Sequence, residues 1–495
     1  MDSSQETIIN SPKISHLAEK DEEIFHFPPD LKSSEFDLQK SCTKAKRPRD
    51  EKLNGKQSSK SDTPDKGPCS DTFSTECIMK LAKERLFQIN SNNSDILSSL
   101  AIGFEKQSGL LSEISEELEL ALLLQAAAEK VAKQQLVDAR KLLSMCEHSA
   151  SKSGSPVQRI VYYFAEALQQ RIDQELGLVL PEEREWKIGK SIDEELALLS
   201  MTPATVEAQQ ELPFCLIAQF VTAESILDSV ASAKRIHLID FSIDNGSQWT
   251  LLMQALSVRD ESSIELLTIT AIGTSKQALV ESGKWLSSFA ETIDLPFSFK
   301  IVLSDLKDLK EDLFELEADE VIAVYLAYRL WPQLAWPNRL EALVGVIKNL
   351  KPCVMVVREL ELSTNTPIFL ERFDELLFYL SSVFDCIQAC MGHHKLYRKL
   401  TEEVYIWDLI RNVITAEGTE RYQRHERVSF WRAFLARFGY VETNLSHLSL
   451  RQARLLLKRS DRLNSCSLVM DGKSLIMGWK GSPLEFISAW KFQYD

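Results

Sequence analysis

The spacing of hydrophobic and polar positions divides the chain into three parts with different patterns. Residues 1–75 show no sustained periodicity, and residues 76–230 repeat apolar side chains at intervals of three and four, as amphipathic helices do. From residue 231 to 495, short apolar runs alternate with longer helical patterns. The pattern therefore predicts an amino-terminal arm (1–75), a helical cap (76–230) and an α/β core (231–495).

The strongest helical signal lies in residues 111–132, which are dense in leucine, alanine and glutamate. Leu118, Leu122 and Ala126 fall on one face of this predicted helix. Such a stripe fits a seam that pairs with another helix, and it fits equally well the buried side of a helix in a globular domain. Because the heptads are not sustained over three or four repeats, we do not expect a long coiled coil.

Five apolar runs of strand length follow residue 231, and helical patterns separate them. In chain order they are RIHLIDF, IELLTIT, FSFKIVL, EVIAVYLA and CVMVVREL. Near-continuous apolar strands that alternate with helices are typical of a parallel sheet covered on both faces. Near the end, SCSLVM and KSLIMGW flank Asp471 and Gly472, and this dipeptide predicts the positive φ angles of a type I′ hairpin turn.

Five parallel strands and a closing antiparallel hairpin together predict an α/β, Rossmann-like fold with a seven-stranded mixed sheet. This arrangement resembles the sheet of class I methyltransferases. The helical cap precedes the sheet, and the arm precedes the cap. The arm is rich in Ser, Lys, Asp, Glu and Pro and poor in aromatic residues, so it is expected to be disordered.

Composition and charge narrow the classes of function. Hydrophobic residues make up 44% and charged residues 26%, an ordinary globular composition. The 72 acidic residues outnumber the 57 Lys and Arg, for a formal net charge of -15, which argues against a protein that binds DNA over its whole surface. A local basic patch stays possible. Because no run of about 18 apolar residues occurs, neither a transmembrane helix nor a membrane partner is expected.

A basic cluster lies within the arm. Its cationic residues are Lys44, Lys46, Arg47 and Arg49. A short basic cluster on an accessible arm is typical of a nuclear localisation signal, and the alternative is a solvated run of charge. We favour the signal and hence expect the protein in the nucleus.

The nine cysteines are scattered and form no CxxC pair, as in proteins whose thiols stay reduced. One local group, Cys386 and Cys390 followed by His393 and His394, faintly resembles a metal site. Its spacing matches no standard zinc pattern, so we expect a structural or incidental role and no bound metal.

Four segments resemble motifs of one known family. The first, RIHLIDFSIDNGSQWTLLMQAL, resembles the VHIID motif of the GRAS family. Its matching positions are Ile236, His237, Leu238, Ile239, Asp240, Gly246, Gln248 and Trp249. The segment beginning NLKPCVMVVREL resembles the PFYRE region of the same family.

The remaining two motifs follow in the order of the family. The segment RNVITAEGTERYQRHERV resembles its RVER-like signature through Arg411, Glu417, Arg421, Arg424 and Glu426. The end of the chain, GWKGSPLEFISAW, resembles the SAW motif. Its matching positions are Trp479, Pro483, Ser488, Ala489 and Trp490. The resemblance covers residues from about 115 to 495.

The resemblance implies a Scarecrow-like plant GRAS regulator of transcription. Members form homo- or heteromeric complexes with other GRAS proteins and with DNA-binding transcription factors, so contact with DNA is expected to be mainly indirect. The DELLA and VHYNP-like strings of the DELLA-type members do not occur in the sequence, so a typical DELLA member is not expected. The expected mode of action is protein–protein contact rather than catalysis.

Because methyltransferases have this type of sheet, the residues at its ligand-binding edge bear on whether the protein is an enzyme. A cofactor site would lie beside the first βα turn, where a glycine-rich loop allows close approach. Here the turn DFSIDNGSQW holds one glycine, Gly246, and the second strand ends Thr-Ile-Thr-Ala-Ile-Gly without a carboxylate. Asp240, Asp244 and Gly246 stay as weak candidates for a cofactor, and no cofactor is expected.

Structural roles are expected for the polar residues of the first motif. We expect Asp240 to cap a helix or accept hydrogen bonds at the end of the strand. His237 lies within an apolar strand and is expected to be packed and hydrogen-bonded rather than catalytic. No Ser–His–Asp arrangement, P-loop or HExxH can be assembled from the sequence. The protein is therefore not expected to be an enzyme.

The charged and aromatic residues near the end of the chain allow two interpretations. From Glu417 to Arg427 the charges alternate in sign, with spacings that allow ion pairs along a helix. They form either a solvated surface or a polar interface that selects a partner. The next segment carries large side chains with helical spacing that are expected in the core: Phe430, Trp431, Phe434, Leu435 and Phe438. Trp479 and Trp490 are expected to be structural as well.

Two other functions stay open beside that of a regulator that acts through protein partners. Direct DNA recognition would use a basic segment of the folded domain, whose residues are Arg451, Arg454, Lys458, Arg459 and Arg462. A residual S-adenosylmethionine-type ligand site would use the first βα turn.

Overall fold

The computed structural model describes residues 73–92, 110–178, 212–243, 245–259, 263–392, 395–458 and 461–493. Four helices come first: α1 (Thr75–Ser91), α2 (Leu110–Ala132), α3 (Leu136–Glu147) and α4 (Pro156–Glu175). The local sequence sets where they begin. Ser155 accepts the N–H of Gln158, whose side chain accepts the N–H of Ser155 in return, and Pro156 opens α4.

The α/β part begins with α5 (Pro213–Ser229) and β1 (Arg235–Asp240). It continues through α6 (Thr250–Ser257), β2 (Leu266–Gly273), α7 (Lys276–Thr292), β3 (Phe297–Leu303), β4 (Val321–Ala327), α8 (Pro337–Asn349) and β5 (Val354–Leu360). All five predicted parallel strands are therefore present, at the predicted positions.

A helical stretch follows β5, and β6 to β9 complete the sheet. The helices are α9 (Phe369–Met391), α10 (Lys395–Leu400), which runs through a π-helical segment (Thr401–Ile406) into α11 (Trp407–Thr415), then α12 (Val428–Ala436) and α13 (His447–Leu457). The strands are β6 (Tyr440–Thr443), β7 (Cys466–Asp471), β8 (Ser474–Trp479) and β9 (Ser482–Phe492).

The sheet has nine strands in the described part of the chain, in the order β3-β2-β1-β4-β5-β9-β8-β7, with β6 paired to β9. The α/β, methyltransferase-like fold class is confirmed, but the prediction of seven strands is too low. It missed β6 and β9, and β9 is a central strand, antiparallel to β5 on one side and to β8 on the other. Their sequences interleave polar and apolar residues, and only pairing partners far along the chain make them strands.

The predicted type I′ turn lies one hairpin later than expected. Asp471 is the last residue of β7, paired with Ser474, and only Gly472 of the predicted dipeptide has a positive φ, +61°. The next turn, between β8 and β9, places Lys480 at φ +48° and Gly481 at +90°. Two consecutive positive φ angles are the signature of type I′, so the prediction was wrong in position.

Two apolar clusters cover the two faces of the sheet. One face packs against α5, α6, α7, α9, α13 and the cap helices, and the other packs against α8, α12 and the segment around Phe314. Leu122 and Ala126 are fully buried in the first cluster. The leucine stripe of α2 is thus the buried side of a helix in a globular domain, the second of the two interpretations of that stripe.

Helices from the second half of the chain join the cap. Phe164 of α4 packs edge-on against Phe373 of α9, with ring centroids 5.4 Å apart. The guanidinium of Arg159, fully buried, donates to Glu402, also buried, at 3.0 Å. Removing one partner of such a pair leaves a buried charge and costs about 3–5 kcal/mol. No helix in the described ranges has the length and hydropathy of a membrane span.

Candidate functional site at the carboxyl ends of the strands

The turn after β1 is the place where an open α/β sheet would bind a ligand, at the carboxyl ends of the strands. Phe241 and Ile243 are buried in this turn. Gly246 ends it in the left-handed region, at φ +79°, and a Cβ there would come within 2.8 Å of a methyl carbon of Leu286. A glycine is required at this position by both conformation and space. A 3₁₀ turn (Ser247–Trp249) then leads into α6.

Asp240 is fully buried at the end of β1, and its carboxylate is occupied by its own chain. Oδ1 accepts the backbone N–H of Ser242 at 2.7 Å. Oδ2 accepts the side-chain amide of Gln248 at 3.1 Å and the indole N–H of Trp249 at 2.7 Å. As expected, Asp240 accepts hydrogen bonds at the end of the strand. Gln248 and Trp249 are thereby explained as well, since they hold the carboxylate.

Three further features at this edge were candidates for binding a cofactor: Asp244, Gly246 and the end of β2. Asp244 lies outside the described residues. Gly246 shapes the turn, as described above. The second strand ends at Gly273 without a carboxylate, and its polar residues Thr268 and Thr270 are buried inside the sheet. The end of β2 therefore offers no carboxylate to the hydroxyl groups of a ribose.

His237 is a fully buried member of the sheet. Its Nδ1 lies 2.7 Å from Oε2 of Glu320, and its Nε2 lies 2.7 Å from Oγ1 of Thr270. Burial lowers the pKa of His237, although Glu320 favours the charged form. A neutral ring that donates from Nδ1 and accepts at Nε2 satisfies both partners. Its neighbours Ile236 and Leu238 pack on the opposite face, so the expected structural role fits this geometry.

The charged part of the RVER-like segment, residues 417–427, is not an α-helix, and the predicted ion pairs along a helix are wrong. Only Gly418–Glu420 forms a single 3₁₀ turn, and residues 421–427 are irregular. Glu417 instead joins Arg171 of α4, at 2.8 Å, to the buried Arg372 of α9. Although burial opposes its charge, the two guanidinium groups hold the pKa of Glu417 below its ordinary value. The segment forms bonds across the fold rather than along itself.

Arg421 fastens this segment to the loop after β5. It is 2% exposed and donates to the backbone carbonyls of Thr364, Asn365 and Thr366. Burial lowers its pKa to about 10, and the neighbouring Arg424 contributes. The three carbonyls accept from Nη1 and Nη2, while Nε is buried without a hydrogen-bond partner in the described part of the chain.

Arg424 and Glu426 continue the same clamp. Arg424 donates to the side-chain oxygen of Asn365 at 3.2 Å and to the carbonyl of Gly418 at 2.6 Å. Glu426 accepts the amide of Asn365 at 2.9 Å. Arg411 lies half-buried on α11. Arg421 is therefore buried and Arg424 and Glu426 are half-buried, whereas Glu417, Glu420 and Arg427 are exposed. The solvated-surface and partner-interface interpretations both stay open for the exposed three.

Two charged residues at the end of β5 were missed by the sequence reasoning. Arg358 is buried and donates to Glu485 of β9, from Nε at 2.8 Å and from Nη2 at 2.6 Å. Burial opposes this charge, but Glu485 holds the pKa of Arg358 above its ordinary value. The available signal was an Arg-Glu pair in an otherwise apolar strand, since charges in such runs are almost always paired.

The second missed residue is Glu359, 1% exposed. Its Oε1 accepts the N–H of Leu330 at 2.9 Å. Its Oε2 is buried with no hydrogen-bond partner in the described part of the chain. Burial raises the pKa of Glu359 to about 8, while backbone N–H groups nearby favour its charged form. A carboxyl group in this environment is largely protonated at neutral pH.

The SAW-like end of the chain is structural. Trp479 and Trp490 are each 1% exposed, and Trp490 donates its indole N–H to Oγ of Ser488 at 2.8 Å. Ser488 is buried, Ala489 pairs with Val356 in the sheet, and Pro483 is exposed near the start of β9. The expectation that both tryptophans are packed is confirmed.

The aromatic stripe after the RVER-like segment also lies in the core. Trp431, Phe434 and Leu435 of α12 are buried, and Phe430 and Phe438 pack partly buried against the same cluster. Trp431 donates its indole N–H to the carbonyl of Glu426. The apolar helix thus holds the end of the irregular charged segment in place.

The remaining candidates are separated from this site. Arg451 and Arg454 are exposed on α13, and Lys458 is exposed directly after it. Arg459 lies outside the described residues, and of Arg462 only the backbone is described. The cluster Lys44, Lys46, Arg47 and Arg49 lies outside the described residues.

Cys386 and Cys390 are buried, and burial raises the pKa of Cys386 well above its ordinary value. His393 and His394 are not among the described residues. Those that are described contain no group of three or more His, Cys, Asp or Glu side chains placed to hold a metal ion.

Comparisons with known proteins agree with the fold and the motifs. The model of the GRAS domain family matches residues 120–491. DELLA protein GAI1 of Vitis vinifera is 31% identical over 407 residues, which are 80% of this chain and 66% of the relative. DELLA protein GAIP of Cucurbita maxima is 30% identical over 83% of this chain and 69% of its own length. The chain thus spans about two thirds of these relatives.

One solved structure covers the same region. The crystal structure of SCL7 from Oryza sativa matches 75% of this chain and 99% of its own, with a TM-score of 0.65 and 26% sequence identity. The family model covers far more than half of the chain, and its bounds enclose the VHIID-like, PFYRE-like, RVER-like and SAW-like segments. The chain belongs to the GRAS domain family.

Proposed function

We propose that the protein is a nuclear transcriptional regulator that acts through complexes with other GRAS proteins and with DNA-binding transcription factors, and that it is not an enzyme. Its relatives are plant transcriptional regulators, which supports a regulatory role. One observation of the structure carries the second half of the proposal. The carboxylate at the end of β1 that would face a bound nucleoside is occupied by Ser242, Gln248 and Trp249.

The physical reason is a competition for the same acceptor atoms. The hydroxyl groups of a ribose at this edge need a carboxylate acceptor, and because β2 ends without one, Asp240 is the described carboxylate left beside the turn. Each donor displaced from Asp240 would be left buried without a partner, at a cost of about 1–3 kcal/mol. The chain keeps the sheet and its turn but uses the polar atoms for packing, so the fold serves as a platform for partners.

A tethering experiment tests the mode of action. The full chain is expressed in plant cells beside a reporter that carries operators of a bacterial repressor, either free or fused to the DNA-binding domain of that repressor. We expect the fused chain to change reporter output several-fold and the free chain to leave it unchanged. A free chain that acts as strongly as the fused one on a reporter without partner sites would overturn action through partners.

Nuclear entry is tested separately. Replacing Lys44, Lys46, Arg47 and Arg49 by alanine in a fluorescent fusion should lower the nuclear fraction of the protein, because an import receptor recognises the cluster by its charge. A matched control replaces four exposed lysines of the folded part, which are Lys141, Lys284, Lys351 and Lys399. Equal nuclear fractions in all three proteins would refute the role of the cluster.

One observation favours direct DNA binding as the second candidate. Arg451 and Arg454 of α13 and Lys458, the residue that caps its carboxyl end, follow one another at intervals of three and four, so their exposed cationic side chains share one side. If this side binds phosphates, affinity for duplex DNA should fall steeply with salt, and replacing all three by alanine should flatten that dependence. Mobility shifts that are equal for wild type and triple variant across a salt series would rule this candidate out.

A further inference from the structure

Four helical elements meet around the buried ion pair of Arg159, on α4, and Glu402, in the π-helical segment. The Nε of Arg159 lies 3.0 Å from Oε1 of Glu402, and both side chains are buried. A second guanidinium, that of Arg398 on α10, is buried beside them, and its Nε lies 3.8 Å from the same oxygen. Both arginines also donate from Nη1 to the side-chain oxygen of Gln388 on α9, at 2.8 and 3.3 Å. The two cations therefore share one carboxylate and one neutral acceptor.

The positive charge of this group exceeds the negative charge that the described residues place beside it. Two guanidinium groups contact the one carboxylate of Glu402, and the next carboxylate, Glu403, is paired with Lys152 at 3.1 Å. The pKa of Arg159 is lowered chiefly by burial, and the charge of Arg398 contributes. Burial also raises the pKa of Glu402, and protonation there would enlarge the positive excess. Because an unpaired charge in the interior is unfavourable, the group lacks one negative charge.

Three hydrogen-bond donors of the same group have no partner within the described ranges. They are Nη2 of Arg159, Nε of Arg398 and the hydroxyl of Tyr163. Tyr163 is buried one turn after Arg159 on α4, and its ring packs against that of Phe384, over which the guanidinium of Arg159 also lies. Burial and the charge of Glu402 raise the pKa of Tyr163, so the hydroxyl keeps its proton at neutral pH. All three atoms are therefore able to donate.

The chemistry of these donors distinguishes between two kinds of occupant. Buried donors in folded proteins are normally satisfied by protein, by ordered water or by a bound ion. A water molecule would bring two donors of its own, which need acceptors. Yet Oε1 of Gln388 already accepts from both arginines, and Oε1 of Glu402 accepts from Arg159. An anion brings no donor, can accept from all three groups and supplies the missing charge.

We propose that this group is a binding site for one small monovalent anion, of the size of chloride, held by Arg159, Arg398 and Tyr163. Because the three side chains are buried in close-packed surroundings, a larger anion such as phosphate would have to displace whole helices. The site joins α4 of the cap to the helices that follow β5, so a bound anion stabilises this junction. Its carboxylate, Glu402, lies in the π-helical segment, and π-helical turns occur frequently at functional sites.

Thermal unfolding of the full-length protein at constant pH and ionic strength tests the site. Sodium gluconate, whose large organic anion does not fit a buried site of this size, is replaced stepwise by sodium chloride. We expect the melting temperature of the wild type to rise with chloride and then to level off, because a ligand that binds the folded state stabilises it by mass action. A melting temperature that stays constant, or that rises without levelling off, would overturn the inference.

Tyr163→Phe removes one of the three donors and leaves the ring in place. In gluconate the variant should melt no lower than the wild type, because a buried hydroxyl without a partner is unfavourable. In chloride it should melt below the wild type, because the anion has lost a donor. Tyr162→Phe, at the half-buried neighbour, is the matched control and should follow the wild type in both salts. The full chloride-dependent rise in Tyr163→Phe would count against the site.

Arg398→Met tests the charge balance. It leaves Arg159 and Glu402 as a neutral pair, so the chloride-dependent rise in melting temperature should disappear. Lys399→Met, at the exposed next residue, makes the same change of charge and should keep the rise. In crystals of the full chain grown in sodium bromide, anomalous scattering should place one bromide ion beside Arg159 and Tyr163. An ordered water molecule in that place, or an equal loss of the rise in both variants, would refute the anion site.

Discussion

At the scale of single residues, Asp240 accepts three hydrogen bonds that join the end of β1 to the turn and to α6. The sequence predicted that role, because a carboxylate at the end of a strand and before a helix usually caps the helix or accepts local hydrogen bonds. It did not predict Glu359 or the partners of Arg421. Those depend on atoms 29 and 55–57 residues away, which no local pattern encodes.

Replacing Asp240 tests whether its role is structural. In Asp240→Asn the acceptor loses its charge, and one of its two oxygens becomes a donor that faces other donors. Hydrogen bonds to a charged group contribute about 1.5–3 kcal/mol, so we expect the free energy of unfolding in urea to fall by that amount. Ser247→Ala, half-buried in the same turn, is the control and should change stability far less. Unchanged stability in Asp240→Asn would contradict the structural role.

Glu359 predicts a specific dependence of stability on pH. Its ordinary pKa is 4.5, and burial raises it to about 8 in the folded protein. Between these values the folded state holds a proton that the unfolded state has released, so this residue's contribution to stability falls as the pH rises from about 4.5 to about 8. The slope is at most about 1.4 kcal/mol per pH unit.

Glu359→Gln isolates this contribution, because an amide does not titrate. We expect the variant to lose stability less steeply than the wild type over this pH range, and to be the more stable of the two near pH 8. Urea unfolding at intervals of half a pH unit measures the difference. Glu147→Gln, exposed on α3, should follow the wild type. Parallel curves for Glu359→Gln and the wild type would show that Glu359 does not hold the extra proton.

At the scale of elements, the five βα strands could be predicted because each is a nearly continuous apolar run, whereas β9 could not. Its sequence, SPLEFISAWKF, contains Pro483 near its start and charged residues at Glu485 and Lys491. It becomes a central strand because Arg358 of β5 neutralises Glu485 and because β5 and β8 pair with it on both sides. Residues 417–427 of the RVER-like segment do not form an α-helix for a related reason, since Glu417 and Arg421 bond to other elements.

Two glycines with open space around them give opposite predictions. A Cβ at Gly481 or at Gly345 would meet no atom within 4 Å, but Gly481 has φ +90° in the hairpin turn and Gly345 lies within α8. Gly481→Ala should destabilise the fold by about 1–2 kcal/mol, the cost of a left-handed conformation. Gly345→Ala should stabilise it by up to about 1 kcal/mol through helix propensity. Thermal unfolding measures both, and equal signs would contradict the turn geometry.

Trp490 tests the contribution of β9 to the fold. Its ring is 1% exposed and packs in the cluster that α12 and α8 cover. Trp490→Ala should lower the free energy of unfolding by about 3–5 kcal/mol, and any loss of regulatory activity should follow from unfolding. Lys491→Ala, the exposed next residue, is the control. A variant that melts normally but no longer binds its partners would instead place Trp490 in an interface.

At the scale of the whole molecule, the sequence and the structure agree on the class of fold and on the family. Residues of three motifs hold neighbouring parts of the sheet together. Trp249 of the VHIID-like motif bonds the end of β1 to the turn that follows, and Arg421 of the RVER-like segment bonds to the loop after β5. The SAW-like end supplies β9, the strand between β5 and β8. Ile301 and Leu303 of β3 and Trp285 of α7, which are exposed apolar residues, lie outside these motifs.

The central claim is that the polar atoms at the end of β1 are committed to the protein's own packing. Calorimetric titration of the full-length protein with S-adenosylmethionine tests it most directly, with Asp240→Asn in parallel. We expect no saturable heat up to about 1 mM ligand for either protein, since the acceptors are already occupied. Saturable micromolar binding by the wild type that Asp240→Asn abolishes would contradict the claim and establish a ligand site at the turn.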